Sequence, residues 1–292
     1  MSRSRSRFTS RFTPARIGIY AFLICAALFF LLPLYVMLAT SLKSMEEIRA
    51  GSIFALPQLF TVEPWRVAWA EVCTGTSCEG ISAGFWNSVA IAVPSTIIPI
   101  LLAALNGYAL SFWRPRGANL LFGILMAGAF IPVQVMIYPM VRLEAALGVF
   151  GSLPGVVLVH LVFGMPVLTL LFRNYYASVP HELFQAARID GGGFARIFLQ
   201  VMLPMSTPII IVAAIMQATG VWNDYILGLV FAGRDNLPMT VQLNNVINTT
   251  TGVRNYNVNM AATVLTALVP LTIYFVSGRW FVRGIAAGAV KG

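Results

Sequence analysis

Long apolar runs constrain this chain more than any other feature of its sequence. Six blocks are almost free of charge: Ile17 to Ser41, Phe85 to Trp113, Ala118 to Val141, Gly151 to Phe172, Val201 to Val230 and Met260 to Phe281. Each is near or above the roughly 20 residues that a helix needs to cross a bilayer. A soluble fold could not hide that much apolar surface, since 58% of the 292 residues are hydrophobic and 10% charged, against roughly a quarter charged in soluble domains. Lipid is therefore the natural solvent. Within lipid every backbone amide must be satisfied by the protein, which leaves helices or a closed barrel. The runs are too uniformly apolar for barrel strands, which alternate. The chain reads as an all-α polytopic membrane protein with six transmembrane helices, at about 17–41, 85–113, 118–141, 151–172, 201–230 and 260–281. They form one domain, 17–292, behind a basic tail of residues 1–16. The first run is too long for a signal peptide and lacks a clear small-residue cleavage site, so it reads as a retained anchor.

Charge then sets orientation. With both termini on one side, that side holds Arg3, Arg5, Arg7, Arg11, Arg16, Arg114, Arg116, Arg173, Arg188, Arg196, Arg279, Arg283 and Lys291. The other side holds Lys43, Arg49, Arg66, Arg142, Arg234 and Arg254. This 13-to-6 division assigns the first side, with both termini, to the cytoplasm by the positive-inside rule. The net charge of +9 accordingly points to an anionic inner leaflet and not to nucleic acid.

The outer segment 42–84 is too long for a bare connection and predicts structure of its own. Thr61 can cap a short helix through Pro64, Trp65, Val67 and Trp69. Cys73 and Cys78 fall in this segment, where an oxidising exterior would permit a disulfide; spacing alone leaves both the bonded and the free state open. Cys25 lies in the first span as a small hydrophobe. Prolines such as Pro94, Pro132, Pro166, Pro204, Pro208 and Pro270 sit in or beside the spans, where each removes a backbone donor and can kink its helix.

One inner loop does not read as a linker. From Ser178 it runs Ser-Val-Pro-His-Glu-Leu-Phe-Gln-Ala-Ala-Arg-Ile-Asp-Gly-Gly-Gly-Phe to Phe194. The pattern predicts a short helix with Ser178 as N-cap, Pro180 in the first turn and Glu182 complementing the positive end. Three glycines after Asp190 end it, and a second helix starts near Phe194 and runs through Ile197, Phe198 and Val201 into the fifth span. Small Ala186 and Ala187 beside Leu183 and Phe184 suit docking into a groove of another protein.

These residues resemble a family. Gln185-Ala186-Ala187, then Asp190-Gly191, then Leu203-Pro204 and Pro208 match the EAA loop of ABC-importer permeases in composition, spacing and topological position. Gln185 stands where that family usually has Glu, so no salt-bridge role transfers to it. Gly192 replaces the usual Ala, which predicts a more flexible turn. Trp222-Asn223-Asp224-Tyr225 is similar to the Trp-Asn-Asp element of carbohydrate permeases. The ending Phe281 to Gly292 resembles the terminus of maltose-type inner-membrane subunits, and Asn87-Ser88 and Tyr108-Ala109-Leu110 fit as well. The resemblance covers most of residues 15–292, and glucose or mannose uptake permeases are the nearest likeness.

What the resemblance implies is a type I ABC-importer permease fold in a bacterial-type inner membrane. The chain would pair with a second, similar permease above two ATP-binding subunits, and an extracytoplasmic sugar-binding protein would deliver substrate. ATP and Mg would sit on the partner ATPase subunits and no cofactor on this chain. The coupling loop 178–200 would take up motion through Glu182, Leu183, Gln185, Ala186, Ala187, Asp190 and Gly191. Leu183 to Ile189 would form the docking surface, Asp190 to Gly193 the turn and Phe194 to Pro208 a lever. Trp222, Asn223, Asp224 and Tyr225 offer aromatic faces and hydrogen-bonding groups to a sugar, with packing of the bundle as the alternative.

The residues also exclude chemistry. Of the two lysines, Lys43 and Lys291, neither lies in a P-loop pattern, so energy must arrive from a partner. His181-Glu182 begins a zinc-protease H-E-x-x-H pattern, but Gln185 fills the last position and no metal site results. His160 is a lone histidine inside the fourth span, where a hydrogen bond to a neighbouring helix competes with a functional role. An ion-gradient-driven secondary transporter is the rival reading; it requires intramembrane carboxylates, of which Asp224 is the candidate deep in a span.

Overall fold

The computed structural model describes residues 13–75, 77–248 and 254–289, with side chains to residue 278. Most of the basic tail, residues 1–12, and Lys291 lie outside the described residues. α1, Pro14–Ser41, opens with the Thr13 hydroxyl accepting from Arg16 N and with Pro14 in its first turn, where a missing N–H is harmless. Most of its side chains are exposed as far as Leu34, a surface that only lipid can solvate. Two short helices follow, α2 (Met45–Ala50) and α3 (Glu63–Ala70). Thr61 serves α3 from just outside, accepting from Glu63 N at 3.2 Å, while Val62 occupies the cap position. Arg66 bridges Glu63 and Glu71 and holds the Glu63 carboxyl below the usual carboxylate range. Cys73 and Cys78 are disulfide-bonded just beyond α3.

The long helix α4, Ser82–Tyr108, passes directly into a π-helical turn, Ala109–Trp113. It packs along α7, Leu153–Ala177. Gly107 sets how close the two come, because a Cβ there would lie 2.7 Å from the Phe172 Cβ. Between α4 and α7 the third expected span is not one helix. α5 (Ala118–Ala129) and α6 (Val133–Leu147) meet at 109°. Pro132 supplies no N–H and pushes Ile131 out of the helical region, so the run breaks there. α6 then continues past the expected end to Gly148, whose φ of +70° stops it.

The fifth expected span is also broken. After α8 (His181–Ile189) come α9 (Phe194–Ile197), a second π-helical turn (Phe198–Met202) and α10 (Leu203–Met205). This stretch turns through 75° into α11, Thr207–Asn223. Pro204 and Pro208 remove donors on both sides of the bend, and the Ser206 hydroxyl lies 2.6 Å from the Met202 carbonyl and 2.8 Å from the Tyr176 hydroxyl. α11 stops at Asn223, short of the expected Val230, and α12 (Ile226–Phe231) restarts beyond it. α13 (Met239–Ile247) and α14 (Tyr256–Ala289) complete the chain. No strand occurs among the described residues.

Among the described residues four helices are long and apolar enough to cross a membrane singly, or up to six by length and composition if each bent pair counts as one span. Among the described residues three buried clusters run along the bundle. One, around Tyr108, Phe172, Tyr176, Phe184 and Phe198, lies at the end that carries α8. Another, around Ile81, Trp222, Met239 and Val258, lies at the end that carries α3.

Candidate functional site

α8 is amphipathic, and its burial divides its residues cleanly. Phe184 points inward and is 4% exposed. Glu182, Leu183, Gln185, Ala186, Ile189 and Asp190 are exposed, and Ala187 is half-buried. Phe184 stacks on Phe112 at 4.9 Å and meets Trp113 edge-on at 5.7 Å. His181 stacks on Phe112 from the start of the helix, and the Arg188 guanidinium lies 5.0 Å over Trp113 from its end. Tyr108 completes the enclosure and donates from its hydroxyl to the Phe194 carbonyl. Aromatic pairs of this kind contribute about 0.5–1.5 kcal/mol each beyond area burial. Tyr176 of α7 meets both Tyr108 and Phe112, so three elements are tied together: the end of α4, the end of α7 and the loop that carries α8.

The turn after α8 differs from the sequence expectation in its details. Ser178 does not cap α8. It ends α7, where its hydroxyl donates to the Tyr175 carbonyl at 2.7 Å, and Pro180 takes the cap position of α8. Asp190 orders the turn through its backbone, with its N–H donating to the Ala186 carbonyl, while its side chain makes no hydrogen bond among the described residues. Gly191 adopts φ +79°, the left-handed conformation that glycine reaches cheaply. Gly192 is tightly packed and not slack: a Cβ there would lie 2.5 Å from the Ala187 carbonyl oxygen and 2.7 Å from Ile197. The segment from Phe194 to Pro208, expected to run as one lever, is not a single helix: a π turn and a 75° bend interrupt it.

The Trp222–Tyr225 element occupies the break between α11 and α12. Trp222 is buried, with its indole N–H donating to the Thr266 carbonyl at 3.1 Å and its ring edge-on to Phe85. Asp224 caps α12, accepting from Gly228 N at 2.8 Å and Leu227 N at 3.4 Å. His160 approaches it from α7, with Nε2 3.9 Å from the carboxylate. The gap among Ser88, His160, Asp224 and Pro238 leaves no volume for a water molecule. Tyr225 donates to Asn244 at 3.2 Å, and the Asp224 carbonyl accepts from Thr240. Asn223 alone of the four is exposed. The four residues therefore line no common cavity; three of them build the joint that presents Asn223.

Sequence reasoning missed the aromatic enclosure of Phe184, although Phe112-Trp113 at the end of an apolar run was a visible signal. It also missed Gln242, which is buried and accepts from Gly84 N at 2.9 Å, and for which the sequence carries no signal. Asn87 and Ser88 clasp the segment before α13, bonding the Asp235 and Leu237 carbonyls and Met239 N.

Residues 95–287 match the family model of binding-protein-dependent transport system inner membrane components. The alpha-glucoside transport system permease protein AglG of Rhizobium meliloti (strain 1021) is 36% identical over 86% of this chain, which spans 66% of that relative's length. The probable ABC transporter permease protein PH1216 of Pyrococcus horikoshii is 33% identical over 97% of this chain and 99% of its own. Among solved structures, a chain of a bacterial ABC transporter involved in the import of the acidic polysaccharide alginate superposes with a TM-score of 0.72 at 19% identity. That superposition covers 93% of this chain and 99% of the other.

Proposed function

This chain belongs to the binding-protein-dependent transport system inner membrane component family, and from that premise we propose that it forms half of a carbohydrate translocation path and takes its driving motion through α8. The carbohydrate class is supported by the alpha-glucoside relative. The α8 end faces the cytoplasm, as do both termini, which the 13-to-6 division of basic residues supports. The partners are a second similar permease, two ATP-binding subunits that hold ATP and Mg, and an extracytoplasmic sugar-binding protein. Because neither lysine lies in a P-loop pattern, hydrolysis belongs to the partners.

One observation carries the coupling reading: α8 is gripped on one face by the aromatic cluster around Phe184 and presents the other face, Glu182, Leu183, Gln185, Ala186 and Ile189, to solvent. A short amphipathic helix held in this way suits the groove of a partner. When ATP closes the partner dimer, α8 moves as a unit, and Phe184 carries the displacement to the ends of α4 and α7. The jointed segment through Ser206 carries it to α11. Closely packed elements of this kind switch between two discrete packings, and the path alternates between inward- and outward-facing. Asn223 faces the path, and Trp222, Asp224 and Tyr225 hold it there.

The test is the assembled complex in vesicles. Vanadate-sensitive hydrolysis stimulated by a sugar-loaded binding protein, together with cross-linking of a cysteine placed at Leu183 to the ATP-binding subunit, is the expected result. Gradient-driven uptake without ATP would overturn the coupling. Uptake of a non-carbohydrate osmolyte with no sugar transported would overturn the substrate class.

A further inference from the structure

A cavity of about 830 Å³ opens at the α8 end of the bundle, between the turn after α4, the start of α5 and the end of α7. Its wall carries Arg114, Asn119, Arg173, Asn174 and His181 and contains no carboxylate. All ten acidic residues of the chain lie among the described residues, and none comes within 4 Å of either arginine's charged nitrogens. The two guanidiniums are positioned without being neutralised. The Arg173 guanidinium lies 4.1 Å over the Phe122 ring, and its side-chain N–H groups make no hydrogen bond among the described residues. Arg114, held at φ +41° where the π turn ends, uses Nε on the Ser111 carbonyl, which leaves its terminal nitrogens uncommitted among the described residues. A guanidinium fixed by a ring or a carbonyl keeps a planar edge of donors that matches phosphate oxygens.

The mouth of the cavity is apolar. Ala118, Asn119 and Leu120, the first turn of α5, form part of the wall. No residue of α5 is buried, and Leu120, Leu121 and Ile124 are 70%, 54% and 61% exposed. The cavity therefore continues into an apolar helix face along which an acyl chain can lie. A basic pocket at the end of membrane helices is suited to the headgroup of an anionic lipid.

We propose that this cavity binds the phosphate of an anionic phospholipid through Arg114 and Arg173, with an acyl chain along α5. The chemistry recognised is a phosphate monoanion. The lipid source is favoured over free phosphate by the apolar extension, and over an acidic segment of a partner protein by the same feature. The proposed orientation enters only in naming the cytoplasmic leaflet as the supplier. His181 opens α8 and shares the cavity wall, so an occupied site braces the helix on which coupling rests.

The experiment is native mass spectrometry of the intact complex, purified with phosphatidylglycerol, comparing wild type, Arg114→Gln/Arg173→Gln and a control, Arg142→Gln, which lies on α6 outside the cavity wall. Retained phosphatidylglycerol is expected to fall by at least about tenfold in the double variant, as for loss of two charge-assisted contacts, and to stay unchanged in the control. Inorganic phosphate at matched concentration is expected not to displace the lipid. Equal lipid retention in the double variant overturns the proposal, as does full displacement by inorganic phosphate. Loss of the ATP-binding subunit with lipid retained would instead mean an acidic partner segment. In case the double variant does not fold, photo-cross-linkable phosphatidylglycerol on the wild type gives a second reading. Label is expected on residues 110–120 and 173–181, and label elsewhere alone rejects the site. Lipid retention is read without ATP turnover, so failure of the coupling assignment leaves this result standing, and the converse holds.

Discussion

Phe184 on α8 and Phe112 in the π-helical turn stack with ring centroids 4.9 Å apart and planes inclined at 27°. The two residues are 72 positions apart in the chain. Their contact joins the helix proposed to dock on the ATP-binding subunit to the end of α4, and through Tyr176 to α7. The docking helix is thus seated on the bundle, not suspended from its two flanking loops.

Phe184→Ala removes the buried half of that contact and should cost about 3 kcal/mol locally; Phe184→Leu, which keeps an apolar side chain of most of that size but loses the ring contacts, should cost about 1–2 kcal/mol. With α8 unseated, motion of the ATP-binding subunit no longer reaches α4 and α7. Uptake in vesicles is expected to fall by more than about tenfold for the Ala variant while ATP hydrolysis continues, and to fall only slightly for Leu. Normal uptake by the Ala variant would show that the aromatic seat transmits nothing.

Gly191 offers a graded test of the turn. Its φ is +79°, and nothing lies within 4 Å of an added Cβ, so only backbone strain opposes a side chain. Asn visits the left-handed region readily, Ala costs about 1 kcal/mol and a β-branched residue more. Co-purification of the ATP-binding subunit is expected to decline in the order Gly, Asn, Ala, Val. An Asn variant worse than Val would mean that the conformation at 191 is not what matters.

These two sites mark how far the sequence was legible. Apolar runs announce spans because lipid leaves the backbone no alternative, and the glycines after Asp190 announce a turn because few residues adopt its dihedrals. Pro132 and Pro204 were visible as breaks, yet the 109° and 75° bends depend on what packs against each half, which no local pattern encodes. The π turns were invisible for the same reason. Asp224 was open to a substrate-path role or a packing role, and its capping of α12 was not legible because no glycine or proline marks the break after Asn223 and Ile226 and Leu227 follow directly.

The Cys73–Cys78 bond closes a very short loop, so its effect on the unfolded chain is small, about 2 kcal/mol. Thiol alkylation of the denatured protein with and without prior reduction should differ by two labels. Cys73→Ser/Cys78→Ser is expected to lower the unfolding temperature modestly and to leave uptake within about twofold, because the loop touches neither α8 nor Asn223. A collapse of transport in that variant would place the loop in the delivery of substrate.

Asp224 and Asn223 separate support from path. Removing the cap with Asp224→Ala leaves the Leu227 and Gly228 amides without an acceptor, at about 0.5–2 kcal/mol. It also removes the carboxylate beside His160. Asp224→Asn keeps an oxygen for the cap and should recover most of the stability. Asn223→Ala touches no such bond. The expected pattern is a lower unfolding temperature and reduced uptake for Asp224→Ala, near-normal behaviour for Asp224→Asn, and reduced uptake at unchanged unfolding temperature for Asn223→Ala. If Asp224→Asn stays stable but loses uptake as fully as Asp224→Ala, the negative charge itself acts in transport and the capping role is secondary.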